Sequence, residues 1–417
     1  MKTAIVILNW NTEGFLKRFL PGLLHSVQDE DAEVIVADNA STDGSIAMMK
    51  EFFPHVRTIT SEKNLGFTGG YNRAFDIIVP EKADKKADKE ADKKADKEAD
   101  GIENEREIAE VSGKPAKEAR ACRKADEAPE YFVLINSDIE VTPGWLRPLT
   151  DWMDSHPECG ACAPKLHSLQ EREMFEYAGA AGGWLDKYGY PFCRGRVMKR
   201  LERDCGQYDT PENVFWATGA CLMVRSSLYR KLGGLDGRFF AHMEEIDLCW
   251  RMQLEGHKVT VVPQSLVYHV GGGTLPQTSP FKLFLNYRNN LLMLSNNIGK
   301  TFALGLYRKG MDTTKAAQKG LRMARHRIFM RMILDGLSSA AYLASFKREC
   351  FKAVWKAHGE YRSKRNSPDV AQIRDYLERH GKAASVEGWY SRWIIPQAML
   401  RGKDIFRSIR KEDFYKG

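Results

Sequence analysis

Nowhere in the 417 residues does an uninterrupted apolar run approach the length needed to cross a bilayer. The nearest candidate, 328–346, is short and carries Arg331 and Asp335. Met1-Lys2-Thr3 leads straight into a strand pattern, leaving no room for a secretory leader, and no small-residue cleavage site follows, so a cytoplasmic chain is expected. Eight scattered cysteines exclude a disulfide framework. Cys159-Gly160-Ala161-Cys162 has no second cysteine or histidine pair at zinc-finger spacing, and its segment reads as a strand. A Lys- or Arg-bearing phosphate loop is also missing after the first strand, where Asn9-Trp10-Asn11-Thr12-Glu13-Gly14 stands instead. That weighs against a metal-dependent nucleotidyltransferase.

What the chain does have is a repeated pattern. Tyr131-Phe132-Val133-Leu134-Ile135 runs without a break into Asn136-Ser137-Asp138-Ile139-Glu140. Such a run reads as a strand buried on both faces, and polar residues at its carboxyl end mark where α/β sheets bind ligands. Two earlier runs end alike: Thr3 to Leu8 stops at Asn9-Trp10-Asn11, and Val34 to Ala37 stops at Asp38-Asn39-Ala40-Ser41-Thr42-Asp43-Gly44. A helical pattern follows the first, with Phe15, Leu16, Phe19, Leu20, Leu23, Leu24 and Val27 at helical spacing and Thr12 placed as a cap. Strand, polar turn, helix and strand predict an α/β fold with an open parallel sheet.

Organisation follows composition. Residues 81–128 form a charged, aromatic-poor insert built on a Lys-Ala-Asp repeat; it has nothing to bury and reads as a solvated helix. Strands are predicted from Val214 to Val224 and from Lys258 to Val262, and helices from Phe281 to Leu294, 328–346 and 369–379. From Ile298 onward 26 lysines and arginines face 11 acids, so this region carries +15 and the first 297 residues −7, against +8 for the whole. Segment 328–346, basic on both flanks, fits either an amphipathic helix on an anionic membrane or a helix packed on the protein. No nucleic-acid module accompanies these charges, and no nucleic-acid partner is expected.

Three further groups carry chemistry. Glu244-Glu245-Ile246-Asp247 follows Phe239-Phe240-Ala241-His242-Met243 at the start of a helix, where one acid suits the helix terminus but three exceed it. His269 closes an apolar run before Gly271-Gly272-Gly273-Thr274, a place suited to a metal ligand. Asn64-Leu65-Gly66-Phe67-Thr68-Gly69-Gly70-Tyr71-Asn72 is a glycine-rich turn opening a helix, where backbone can approach a phosphate or ribose closely.

Together these motifs, in this order, resemble the family 2 glycosyltransferases of the GT-A fold, especially the bacterial rhamnosyltransferase-like branch that builds surface polysaccharides. The likeness covers residues 3–79 and 130–290. It implies a Rossmann-like, mostly parallel central sheet flanked by helices over residues 1–280, followed by a basic helical region over 281–417. It also implies that Asn9, Asn11, Asp38, Asn64, Gly66, Gly69, Gly70, Asn72 and Asn136 hold the nucleotide sugar, with Gly219 and Ala220 where sugar and acceptor meet. Asp138 and His269 would ligate Mg²⁺ or Mn²⁺. The base would be Glu245, with Glu244 and Asp247 as the other choices.

Two positions depart from the family. Asn136 replaces the first acid of its DxD element, leaving a second carboxylate to Glu140 or to none, and Glu245 stands where the family commonly has Asp. The implied reaction is inverting, metal-dependent transfer from a UDP- or dTDP-linked donor to a saccharide or lipid-linked saccharide. Peripheral contact with the inner membrane face is expected through the basic region. A non-catalytic nucleotide-sugar or polysaccharide-binding protein is the alternative, and Trp184, Trp216 and His242 are candidates for specificity.

Overall fold

A computed structural model of the chain describes residues 1–79, 128–271 and 279–415; most of the charged insert and the glycines at 272–273 lie outside the described residues. The amino-terminal half alternates as the apolar runs predict. β1 (Thr3–Asn9), α1 (Glu13–Ser26), β2 (Ala32–Asp38), α2 (Ser45–Phe52), β3 (Arg57–Thr60) and α3 (Gly66–Ile78) lead to β4 (Tyr131–Asn136) and β5 (Ile139–Val141). β1 pairs in parallel with both β2 and β4, so Asn9 lies beside Asp38, and Leu8 beside Asn136. Three polar strand ends therefore meet at one edge, because all three strands run the same way and stop in register. Thr12 stands at the head of α1, but its hydroxyl bonds the Asn9 side chain at 2.5 Å instead of capping the helix.

After α4 (Leu146–Ser155) comes β6 (Cys159–Ser168), which holds both cysteines of the CxxC buried, as the apolar reading of that segment requires. A small second sheet follows from β7 (Gly183–Asp186), β8 (Pro191–Cys193), β9 (Arg196–Val197) and β10 (Arg200–Leu201). The chain re-enters the main sheet as β11 (Glu212–Asn213) and β12 (Cys221–Arg225), then passes through α5 (Ser226–Lys231) and α6 (Glu244–Leu254) to β13 (Lys258–His269). The main sheet has the order β11-β13-β6-β12-β4-β1-β2-β3, with β5 on β13. β12 is antiparallel to both neighbours, so the sheet is mixed, with a parallel half that ends at the polar edge. Segment 214–220, expected within a strand, is buried but irregular; it links β11 to β12 within the main sheet and touches the small sheet through the Gly183–Trp216 bridge.

The carboxyl-terminal part is helical: α7 (Pro280–Tyr307), α8 (Thr313–Ala344), α9 (Arg348–Lys364), α10 (Val370–His380) and α11 (Ile394–Arg401). Ser279 caps α7, Asp312 caps α8, and Asp369 with Gln372 forms a capping box on α10. Between α10 and α11, β14 (Trp389–Tyr390) adds a parallel strand to β7. Trp389 then packs against Trp250 of α6 and Phe215, with ring centroids 5.0 and 5.9 Å apart. The helical region is thus built into both sheets' supports.

Candidate active site

The polar edge is a self-consistent lattice of short hydrogen bonds. Asn9 Nδ2 donates to Asp38 Oδ1 at 2.7 Å and to Ser41 Oγ at 3.0 Å. Asp38 Oδ2 accepts the Ser41 backbone N–H at 3.0 Å. Asn11, in a left-handed conformation, accepts from the Thr42 N–H at 2.7 Å. These bonds fix the 39–44 turn over the ends of β1 and β2.

Asn39, absent from the predicted set, joins this turn to the glycine-rich loop. Its amide donates to Asn64 Oδ1 at 2.9 Å and to the Gly66 carbonyl at 3.0 Å, and its oxygen accepts the Leu65 N–H. Gly66 has φ +72°, and a Cβ there would lie 2.5 Å from the Phe240 carbonyl. Gly70 lets α3 approach Leu8 of β1: a Cβ would sit 2.5 Å from a Leu8 methyl. Gly69 faces Leu65 of its own loop. Asn72 stands apart, its amide bonded to Tyr229 and to both backbone groups of Leu235.

Across β4 lies the second group. His269 Nε2 is 3.1 Å from Asp138 Oδ1 and 3.5 Å from Asn136 Nδ2. Its other nitrogen stands 3.3 Å from Glu176 Oε1. Burial pulls the imidazole down, but Asp138 and Glu176 outweigh it and raise the group to about 10. Glu140 is elsewhere, paired with Arg172 at 2.5 Å. The second carboxylate beside the histidine is therefore Glu176, which the sequence reading missed. Its only signal was an acid set between Phe175 and Tyr177 after an apolar strand.

A third group sits on the lead-in to α6. Phe240, His242 and Met243 all have positive φ, 66°, 71° and 74°, a cluster of left-handed non-glycine residues of the kind found where structure holds strain at a site. Asn289 of α7 pins this turn: Nδ2 donates to the carbonyls of Phe239, Ala241 and His242 at 2.9, 2.8 and 2.8 Å. Arg288 adds a bond to Phe239 at 2.8 Å and reaches Glu360 on α9 at 3.0 Å. Thr68 N–H, in the glycine loop, donates to the Phe240 carbonyl, so the loop and the turn are held together.

The three acids of α6 have different surroundings. Asp247 is fully buried and saturated, accepting from Arg251 Nε at 2.7 Å, Asn296 at 3.0 Å and Asn297 at 2.8 Å. Among the described residues, Glu244 and Glu245 each keep a buried oxygen without a partner, and His242 Nε2 likewise has none. Burial and the neighbouring Glu245 push Glu244 well up. Burial, opposed by backbone hydrogen bonds, raises Glu245 to about 7. Burial and the charge of Lys282 lower His242 to about 4.

Gly219 and Ala220 bridge the second and third groups. A Cβ on Gly219 would sit 3.6 Å from Glu245 Cβ, and the Ala220 carbonyl accepts the Asn136 N–H at 2.9 Å. Trp216 and Trp184 belong to the packing of the small sheet, Trp216 Nε1 donating to the Trp184 carbonyl. Of the three specificity candidates, His242 alone lies on the strained turn. The edge can thus grip a polar ligand at Asp38, present a carboxylate and an imidazole at Asp138, and offer a carboxylate titrating near neutrality at Glu245.

The sequence model described as glycosyl transferase family 2 matches residues 4–78, from β1 through α3. Over 272 residues the chain is 25% identical to an N-acetylglucosaminyl-diphospho-decaprenol L-rhamnosyltransferase of Mycobacterium tuberculosis, covering 64% of this chain and 75% of that one. Over 265 residues it is 22% identical to the rhamnosyltransferase WbbL of Escherichia coli, covering 64% and 82%. Among solved structures, a mannosyltransferase from Pyrobaculum calidifontis in complex with GDP-Man and Mn²⁺ overlaps with a TM-score of 0.41 at 11% identity, over 91% of this chain and 86% of that one.

Proposed function

We propose that the chain is a family 2 glycosyltransferase of the rhamnosyltransferase type, transferring a sugar from a UDP- or dTDP-linked donor to a lipid-linked saccharide with inversion at the anomeric carbon. The observation that carries this reading is Glu245: an acid raised to about 7, with an unpartnered buried oxygen, beside the Gly219–Ala220 corner that leads to Asn136. A base at that value is half-ionised at neutral pH, close to the optimum for taking a proton from an attacking hydroxyl. Asp247, with its oxygens occupied, is better suited to fixing α6.

In this reading residues 1–280 form the transferase domain. Asp38, Asn9 and Asn11 hold the base and ribose, and the backbone around Gly66, Gly69 and Gly70 lies along the donor, with Asn64 shaping that loop. Glu245 removes the acceptor proton as the hydroxyl attacks the anomeric carbon from the face opposite the diphosphate. One displacement of this kind inverts the configuration.

Among the described residues no cluster of three such ligands exists, so a divalent cation would be held at the second group by two protein ligands: Asp138 would offer a carboxylate and His269 a ring nitrogen, with Glu176 at the far nitrogen in the manner of a carboxylate that orients a metal-bound imidazole. When bound, Mg²⁺ or Mn²⁺ would neutralise charge developing on the diphosphate leaving group. The basic residues of 281–417 would hold the protein against an anionic inner membrane face, where lipid-linked saccharides lie.

The test is sugar transfer and donor hydrolysis with Mn²⁺, comparing the wild type with Asp138→Ala and Glu245→Gln. Turnover abolished in both variants supports the assignment. No turnover by the wild type with any nucleotide sugar would leave a binding protein instead.

A further inference from the structure

Helix α8 is turned inside out over its second half. Arg331, Asp335 and Ser339, one helical turn apart, face the protein and are 4%, 0% and 1% exposed. Phe329, Ile333 and Leu337, equally spaced on the opposite side, face outward at 60%, 42% and 64%. Soluble helices place these residue types the other way round.

The orientation is locked. Arg331 Nε bonds Asp335 Oδ1 at 2.8 Å, its Nη1 donates to Asn290 Oδ1 at 2.5 Å and to the Tyr188 carbonyl at 3.1 Å, and its guanidinium stacks 3.8 Å over Tyr190. Asp335 Oδ2 also faces His358 of α9 at 3.4 Å. Rolling the helix to hide its apolar side would break this buried ionic group, a costly loss.

The apolar face continues beyond α8. Phe346, at the turn into α9, is 90% exposed with φ +58°, a backbone conformation rare for a bulky side chain. A groove of about 870 Å³ is lined from α8 by Phe329, Met332 and Ile333 and from α9 by Trp355, which is 61% exposed. Exposed cations border the face at both ends: Arg322 and Arg325 before it, Lys347 and Arg348 after it.

We propose that the outward face of α8 and the α8–α9 turn, carrying Phe329, Ile333, Leu337 and Phe346, docks on an anionic phospholipid bilayer. An apolar stripe bordered by cations matches the interface of such a bilayer, where side chains enter the acyl boundary and cations meet headgroup phosphates. A second copy of the chain would instead bring the same cations against their own kind. Among the described residues no helix is long and apolar enough to cross a membrane, so the helix lies on the surface. This inference rests on the proposed lipid-linked acceptor and adds the surface that brings the enzyme to it.

The experiment is co-sedimentation with vesicles of phosphatidylethanolamine and phosphatidylglycerol, 3:1, and with phosphatidylcholine vesicles. Wild type is expected to partition onto the anionic vesicles roughly tenfold more strongly than onto phosphatidylcholine. The triple variant Phe329→Gln/Ile333→Gln/Leu337→Gln is expected to lose binding roughly tenfold or more while keeping its melting temperature and its transfer to a short-chain soluble acceptor. Asp138→Ala is expected to bind vesicles as wild type does, so failure of catalysis and failure of docking read separately. The proposal is overturned if wild type stays in the supernatant, or if the triple variant sediments equally well. It is also overturned if the face proves to hold a dimer that the triple variant dissociates while lipid binding is unaffected.

Discussion

The side-chain amide of Asn289 donates to the His242 carbonyl at 2.8 Å, tying a helix of the carboxyl-terminal region to the strained turn that presents Glu244 and Glu245. The same amide holds Phe239 and Ala241, so one side chain reaches three carbonyls of the entry to α6.

Replacing it tests whether that turn positions the base. Asn289→Ala leaves three buried carbonyls with fewer donors and is expected to cost about 2–3 kcal/mol of stability. Turnover should fall by about 10²-fold, and the donor KM should rise as well, since the same turn is bonded to the glycine loop through Thr68 N–H and the Phe240 carbonyl. Steady-state kinetics and thermal melting check both.

As the proposed base, Glu245 is expected to set the acid limb of the rate profile. Because it is raised to about 7 and must be ionised to act, kcat should fall tenfold per pH unit below about 7 and level off above it. Glu245→Gln should lower kcat by about 10²–10⁴ and erase that limb. Stability moves the opposite way. A carboxyl raised in the folded state binds its proton more tightly there than when unfolded, so its contribution is present below about pH 4.5 and is lost as pH rises through about 7. The variant should therefore gain on wild type between pH 5 and 8, by about 1–2 kcal/mol in denaturant unfolding.

Asp247 should behave as a structural acid. Asp247→Ala strands Arg251, Asn296 and Asn297 in the interior and is expected to destabilise the fold by about 3–5 kcal/mol, seen as a lowered denaturant midpoint. A variant of normal stability and lost turnover would move the base assignment to this residue.

Glu176 should matter to a divalent ion without touching the donor. Glu176→Gln is expected to weaken Mn²⁺ binding by about 10–100-fold in isothermal titration calorimetry. The same change removes a buried charge beside the His269 imidazole and should also lower the melting temperature in the absence of metal, so the binding is measured below that temperature.

Gly66→Ala probes the seam between loop and turn. At φ +72°, with a Cβ driven into Phe240, it should lower stability by about 1–3 kcal/mol and raise the donor KM.

Local pattern made part of this site legible. Unbroken apolar runs ending in Asn9, Asp38 and Asn136 announced three strands, and parallel pairing in register did the rest. Helices near 281–294, 328–346 and 369–379 showed through spacing, although α7 and α8 run well beyond those limits and α9 had too weak a pattern to stand out. Glu176, Asn39 and Asn289 were not legible, because each acts through partners distant in sequence: Glu176 on His269, Asn39 on the 64–66 loop, Asn289 on 239–242. Thr12 looked like a cap and binds Asn9 instead, since a closer acceptor was available at the strand end. Asn72 and Asp247 read as ligand-facing polar residues, yet their hydrogen bonds run to the scaffold.

The pairing of β14 with β7 has a consequence for how the molecule is made. Trp389 supplies the ring against Trp250, on the very helix that begins with Glu244, and the Gly388 carbonyl accepts from Leu185 in the small sheet. On the ribosome, every catalytic candidate from Asn9 to His269 emerges before that tryptophan does. The nascent chain therefore carries a full complement of reactive side chains whose supporting helix is still missing a neighbour, and competence for turnover should arrive late in synthesis, with residue 389.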